Sequence, residues 1–418
     1  MKKGEQITGE ITAMAFGGKG IMKIDEKVVF IDKTIIGQTI TAQVTKNKKS
    51  YAEAKIISID KKSPIQQENE FQPTPGAPWM SIPIEKQQQI KRELVFEHFK
   101  KFAKIDLNIF FDELIASPQT WFYRNKMEYS FGPTGETCTE DEEGKRTWTH
   151  EGFGLGSKKR GQFWLVESLE KSSGLFDADV EENLNELQQW CEDTGLKVYN
   201  TRSHEGFFRH LMIRKSFYED SFLVHLITSS QEKEKFDSIE FEELVSKLMP
   251  KAKGILWSVN DALGDSINGL EQTQVLKGSL TITDVLLGLS FEVSTHSFFQ
   301  PNPAAAEKIY KKVIQYLDKD EADHIYDLYC GTGTIGQVIA KNFPDKTITG
   351  VELVADAVAN AEYNAKKNEI PNVKFVCDKV ENFLKDEGDL VGESTVILDP
   401  PRAGLHPKAL EHLSLIHI

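Results

Sequence analysis

Asp327-Leu328-Tyr329-Cys330-Gly331-Thr332-Gly333-Thr334-Ile335-Gly336 decides the fold. It follows a short apolar run and leads into a helix-like run, Gln337 to Lys341. The order is strand, glycine turn, helix. Glycines let the backbone turn sharply and approach a ligand closely, and the helix start offers free N–H groups. Glu352 lies sixteen residues after Gly336, at the end of a second strand-like run, Thr347 to Val351. A carboxylate there accepts hydrogen bonds from ribose hydroxyls. The local pattern describes a nucleoside cofactor lying across the carboxyl ends of parallel strands.

The spacing G-x-G-x-x-G is also that of dinucleotide sites. Two features favour S-adenosylmethionine over NAD. Asp327 opens the loop, where a pyrophosphate would be repelled and a sulfonium or amino group attracted. A later strand, Ser394 to Leu398, runs into Asp399-Pro400-Pro401-Arg402, and a D-P-P turn at a strand end is common in methyltransferases acting on flat nitrogenous rings. A glycine turn that binds nothing would not require three elements to agree.

The chain has 418 residues, 39% hydrophobic and 27% charged, the composition of a multidomain globular protein rather than a disordered one. It has no apolar run of about 18 residues and no secretory h-region after Met1-Lys2-Lys3, so a cytoplasmic protein with no membrane partner is expected. Cys138, Cys191, Cys330 and Cys377 stand far apart with no C-x-x-C pair, which argues against disulfides and zinc. The net charge of −14 opposes bulk affinity for nucleic acid, but residues 1–62 hold twelve Lys against seven Asp or Glu. Charge is local, and this end is basic.

Residues 1–62 read as a small five-stranded barrel of the OB type, with a glycine-rich turn at Phe16-Gly17-Gly18-Lys19-Gly20. Lys46, Lys48, Lys49, Tyr51 and Lys55 form a basic strip suited to an RNA backbone, or simply a solvated hairpin. Residues 63–83 read as a linker. Ile84 to Ala103 is an amphipathic helix whose Ile90, Leu94, Val95, Phe99 and Phe102 are expected in a core. An α+β domain follows to residue 290, with an acidic insertion loop at 135–148. Arg124, Lys126, Lys158, Lys159 and Arg160 are candidate phosphate contacts in it, or ordinary surface charge. From residue 291 the chain reads as a doubly wound α/β unit with strands at Ile325–Tyr329, Thr347–Val351, Asn372–Cys377 and Ser394–Leu398. An alanine-rich helix near 354–368 is expected to pack closely on its sheet.

These residues together resemble the RNA uracil-5-methyltransferase family, in the branch acting on 23S ribosomal RNA with an N-terminal TRAM domain. The likeness is carried by Ala15 to Gly20, Ser297-Phe298-Phe299-Gln300-Pro301-Asn302, Asp327 to Gly333, Gly350-Val351-Glu352 and Leu398 to Gly404. The resemblance implies a TRAM barrel (1–62), a central α+β domain (63–290) and a Rossmann-like methyltransferase domain (291–418). It implies S-adenosylmethionine held by Gln300, Tyr329, Glu352 and Asp399, with Asp378 near the adenine. It implies RNA as partner, with Phe298 or Phe299 beside the flipped base and Arg402, Arg124 and Lys126 on the substrate. No protein partner is implied.

The family's chemistry adds a cysteine thiolate to carbon 6 of uracil, methylates carbon 5 and removes its proton with a base. By resemblance the nucleophilic cysteine and a glutamate base belong beyond Ile418, so the expectation is a truncated chain unable to complete turnover. Cys330, in the cofactor loop, is not given the nucleophile's role. Many relatives hold an iron–sulfur cluster just before the long helix; here Pro75-Gly76-Ala77-Pro78-Trp79-Met80 has no cysteine, and no cluster is expected. Rival readings are a transfer-RNA uracil methyltransferase, an adenine or guanine amino-methyltransferase, and a non-catalytic RNA binder. Arg402, standing where amino-methyltransferases place a stacking aromatic, disfavours the second of these. Retained Glu352 and Asp399 disfavour the third.

Overall fold

A computed structural model describes residues 1–265, 267, 270, 273–386 and 393–416. The chain forms two compact units: Met1–Thr120 with Lys171–Leu175, and Trp121–Glu170 with Phe176–Ile418.

The first unit is built on a six-stranded sheet, one strand more than the sequence reading. Its order is Gln6–Glu10, Thr39–Asn47, Tyr51–Lys61, Lys27–Ile31, Gly20–Ile24, Ala13–Met14. Alternation sends Ile40, Ala42 and Val44 inward, together with Ile11, Met22, Val29 and Ile31. Three register shifts between the two longest strands bend them around this core. The segment read as a linker contributes to the same core through Trp79 and Ile82. The helix is Ile84–His98, continued by one π-turn, Phe99–Ala103. It buries none of its residues fully; Ile90 and Leu94 pack against the core, whereas Val95, Phe99 and Phe102 are exposed. Three of the five residues expected in a core therefore face solvent.

The second unit holds a seven-stranded sheet ordered Gln162–Ser168, Gly154–Lys159, Lys126–Gly132, Phe208–Ser216, Ser221–Thr228, Ala252–Val259, Gln274–Gly278. Only Ser221–Thr228 and Ala252–Val259 run parallel, as the helix between them, Ser238–Leu248, requires. Asp237 caps that helix by accepting from Ile239 N and Glu240 N, each at 3.0 Å. One sheet face, with Tyr129, Phe131, Leu211, Ile213, Val224 and Leu226, packs on this helix and on Ala178–Asp193. The opposite face carries Lys126, Glu128, His210, Arg214 and His225, because residues two apart share a face. The acidic stretch read as a loop is a hairpin, Gly135–Glu140 with Arg146–Glu151.

The second sheet of this unit is parallel: Val373–Cys377, Thr347–Glu352, His324–Leu328, Ser394–Leu398. Apolar clusters cover both faces. One joins Ile325, Ile339, Ile348 and Leu317; the other joins Tyr326, Leu328, Phe383 and Ala409. The helix Ala355–Lys367 buries only two of its alanines, Ala361 and Ala365. Its polar face does other work, since Asn364 and Asn368 accept from Glu292 N and Ser290 N of the hairpin Thr281–Leu286/Leu289–Ser294.

Candidate functional site

Register sets the site. Leu328 pairs with Val351 on one side and with Leu398 on the other. The next residue of each strand is therefore Tyr329, Glu352 or Asp399, and the three leave the sheet level with one another. Glu352 pairs with Cys377, so Asp378 follows one step on. Parallel strands open a crevice at their carboxyl ends, and these residues rim it.

The backbone must turn away at once to leave that crevice free. Tyr329 takes φ 65°, and Gly331 and Gly333 take 55° and 71°. A non-glycine residue in this region is uncommon and costs about 1 kcal/mol or more. Cys330 N donates to Val351 O at 3.1 Å and Gly333 N to Cys330 O at 2.8 Å, closing the turn. At Gly333 a Cβ would lie 2.5 Å from the Phe375 ring, so the turn tolerates no side chain there. The helix Thr334–Asn342 then starts under the crevice.

Asp327 departs from its sequence reading. It does not face the loop mouth; it is fully buried, and one carboxyl oxygen accepts from Gly336 N at 2.9 Å. It pins the helix to the strand. Its other oxygen has no hydrogen-bond partner. Burial, with Asp399 and Glu352 adding to it, pushes the Asp327 carboxyl up to about 7. Glu352 accepts from Gly331 N at 3.1 Å through one oxygen and from Val354 N at 2.9 Å through the other. Both bonds fix its plane, and each oxygen keeps a free lone pair for a hydroxyl. Gln300 reaches the same rim, its Nε2 donating to Asp399 Oδ2 at 3.4 Å.

The segment carrying Gln300 is clamped by side chains remote in sequence. Asn125 Nδ2 donates to Gln300 O at 3.0 Å, and Asn125 N donates to Pro301 O at 3.0 Å. The buried Arg214 donates to Ser297 O. Thr332 of the glycine turn donates to Phe298 O at 2.8 Å. Asn302 caps the helix Pro303–Leu317. Phe299, proposed for the substrate side, is a core residue: it is buried and packs 5.8 Å from the Phe291 ring. The ring that faces solvent is Phe298, 58% exposed. Sequence reasoning passed over Asn125 and Arg214, because nothing in the run Phe208 to Ser216, which also holds Arg209, His210 and Lys215, marks Arg214 out.

Of the candidate cations, Arg124 donates to Lys126 O at 3.2 Å, and Lys126 stands opposite Arg214 across two strands. Burial first, then Arg214 and Arg124, holds the Lys126 amine down to about 8, with Glu128 opposing. Lys158 pairs with Asp265 at 3.2 Å. Arg402 lies exposed on the turn after Pro401. Neither buried thiol suits a nucleophile: burial raises Cys191, and burial with Asp327 and Glu352 raises Cys330. No group of three or more metal-ligating side chains is gathered among the described residues, and no described helix is long and apolar enough to cross a membrane. A glycine cradle with Glu352 and Asp399 at its rim suits a cationic nucleoside and disfavours a pyrophosphate.

Comparison with known proteins agrees with this geometry. The model of the tRNA (uracil-5-)-methyltransferase family matches residues 266–416. An uncharacterized RNA methyltransferase of Caldanaerobacter subterraneus is 33% identical over 99% of this chain and 88% of its own length. One of Clostridium tetani is also 33% identical, over 99% of this chain and 87% of its own. Among solved structures, the Pyrococcus abyssi tRNA (uracil-54, C5)-methyltransferase in complex with S-adenosyl-L-homocysteine shares the fold, with TM-score 0.69 at 21% identity over 97% of this chain and 87% of that one. The chain belongs to the RNA uracil-5-methyltransferase family.

Proposed function

We propose that this protein uses S-adenosylmethionine to methylate carbon 5 of a uridine in 23S ribosomal RNA, in the cytoplasm. The observation that carries the reading is the level exit of Tyr329, Glu352 and Asp399 from three adjacent parallel strands, with Gln300 bonded to Asp399. Glu352 takes the ribose hydroxyls; Tyr329 and Gln300 border the methionine end; Asp399 stands nearest the donor and the target ring. The bound cofactor supplies an electrophilic methyl group. Glu352 and Asp399 at the crevice favour its positive charge, and Lys126, Arg124 and Arg402 supply cations for RNA phosphates. Phe298, exposed beside Gly331, is the ring available to a flipped base.

The ribosomal target rests on the resemblance of residues 1–62 to a TRAM domain of the OB type, whose basic strip Lys46, Lys48, Lys49, Tyr51 and Lys55 suits RNA. The names of the matching family and of the Pyrococcus enzyme favour tRNA as a second reading. Deleting the gene and mapping 5-methyluridine by mass spectrometry separates them. Loss from 23S rRNA with tRNA unchanged is the expected result; loss from tRNA alone gives the second reading. An unchanged 5-methyluridine content in both overturns the proposal.

A further inference from the structure

The first unit carries an exposed aromatic row that the cofactor site does not use. Phe16, from the glycine turn, lies 5.3 Å from the His98 ring, and His98 lies 5.7 Å from Phe102. The outer rings are 72% and 70% exposed. His98 is pinned to its helix by Nδ1, 2.8 Å from Leu94 O. Lys101 Nζ sits 5.2 Å from the Phe102 ring centre. The π-turn Phe99–Ala103 places Lys100, Lys101 and Phe102 together at the helix end. Residues 91–104 hold five Lys or Arg against two Glu, in a chain whose net charge is −14.

Three solvated rings in a row forfeit apolar burial unless something covers them. The local positive charge favours an anionic cover, and a stacked base joined to a phosphate meets both requirements. The row is too tight for a base to enter between its rings, since a sandwich needs about 6.8 Å, twice the 3.4 Å stacking repeat. Bases must therefore stack on the two outer faces, those of Phe16 and Phe102. We propose that Phe16, His98 and Phe102, with Lys101, form a stacking platform for single-stranded RNA flanking the target uridine. This rests on the RNA-methyltransferase reading and extends it to a second contact surface.

The test is fluorescence-anisotropy titration of the full chain with a labelled twelve-nucleotide single-stranded RNA at several salt concentrations. Binding of S-adenosylmethionine is measured in parallel, with thermal melting as a check on folding. Phe16→Ala and Phe102→Ala should each weaken RNA binding about five-fold or more, Phe102→Trp should restore it, and none should alter cofactor affinity. Lys101→Gln should reduce the slope of log K against log salt by about 0.7. The platform is overturned, with the enzyme reading intact, if the Ala variants melt and bind RNA like the parent. It is overturned likewise if they change the association state of the protein and leave RNA affinity alone, which would make the row a protein contact. If the parent binds neither RNA nor cofactor, both readings fall.

Discussion

The two large sheets of the second unit solve the problem of positioning charge in opposite ways. At the carboxyl end of the parallel sheet, Glu352 is held by two backbone N–H groups, Gly331 of the glycine turn and Val354 just past its own strand, and Asp327 by a third, Gly336. On the polar face of the mixed sheet, Lys126, Glu128, His210, Arg214 and His225 come from strands nearly a hundred residues apart and are placed by register alone. The first arrangement is acidic and made of backbone. The second contains buried cations, and its Arg214 and neighbouring Asn125 hold the Gln300 segment from behind. A rim built by a turn is robust to changes in distant side chains, whereas a segment clamped by remote side chains inherits every change made in them.

Substitutions can break that contrast. Gly333→Ala should have the largest effect, because it combines a left-handed φ with a Cβ 2.5 Å from Phe375. A loss of about 3 kcal/mol in stability is expected from strain and overpacking, measured by urea unfolding, with cofactor binding abolished. Arg214→Met should lose about 2 kcal/mol by leaving Ser297 O without its donor. It should also weaken cofactor binding several-fold although Arg214 is placed behind Gln300; unchanged affinity would show that the clamp does not position Gln300.

The contrast also has a pH signature. The Asp327 carboxyl is raised in the folded state, so between the ordinary carboxylate range near pH 4 and about pH 7 the folded chain binds the extra proton. Its contribution favours folding at low pH and is lost as pH rises through 7. Asp327→Asn, which can still accept from Gly336 N, should flatten that decline in a series of melts from pH 5 to 8. The Lys126 amine is lowered to about 8, so the folded chain binds fewer protons there and its contribution to stability grows as pH rises from about 8 toward 10.5. RNA contact needs the ammonium form, and affinity should fall by roughly five-fold, about 1 kcal/mol, between pH 7 and 9. Lys126→Gln should remove that dependence, the smallest of these effects.

The same contrast explains what the sequence could disclose. The glycine turn, Glu352 and the D-P-P strand end are contiguous patterns, and strand, turn and helix over 324–342 fall where periodicity puts them. Asp327 was legible in position but not in direction, because alternation along a strand does not say which residue is sealed once the helix folds over it. Phe298 and Phe299 could not be told apart for the same reason: one step of backbone rotation sends one to the core and the other to solvent. The Ile84–His98 helix was legible as a helix, yet its apolar stripe is partly exposed, since periodicity records a face and not what covers it. Arg214 and Asn125 become readable only when strand pairing brings them to Ser297 and Gln300.

The account turns on the crevice at Glu352. The most direct measurement is calorimetric titration of the protein and its Glu352→Gln variant with S-adenosylmethionine and, separately, with NAD. The prediction is saturable binding of S-adenosylmethionine alone, weakened about ten-fold or more in the variant through loss of charge-assisted bonds to the ribose. Binding of NAD in its place, or S-adenosylmethionine binding indifferent to Glu352, would contradict it.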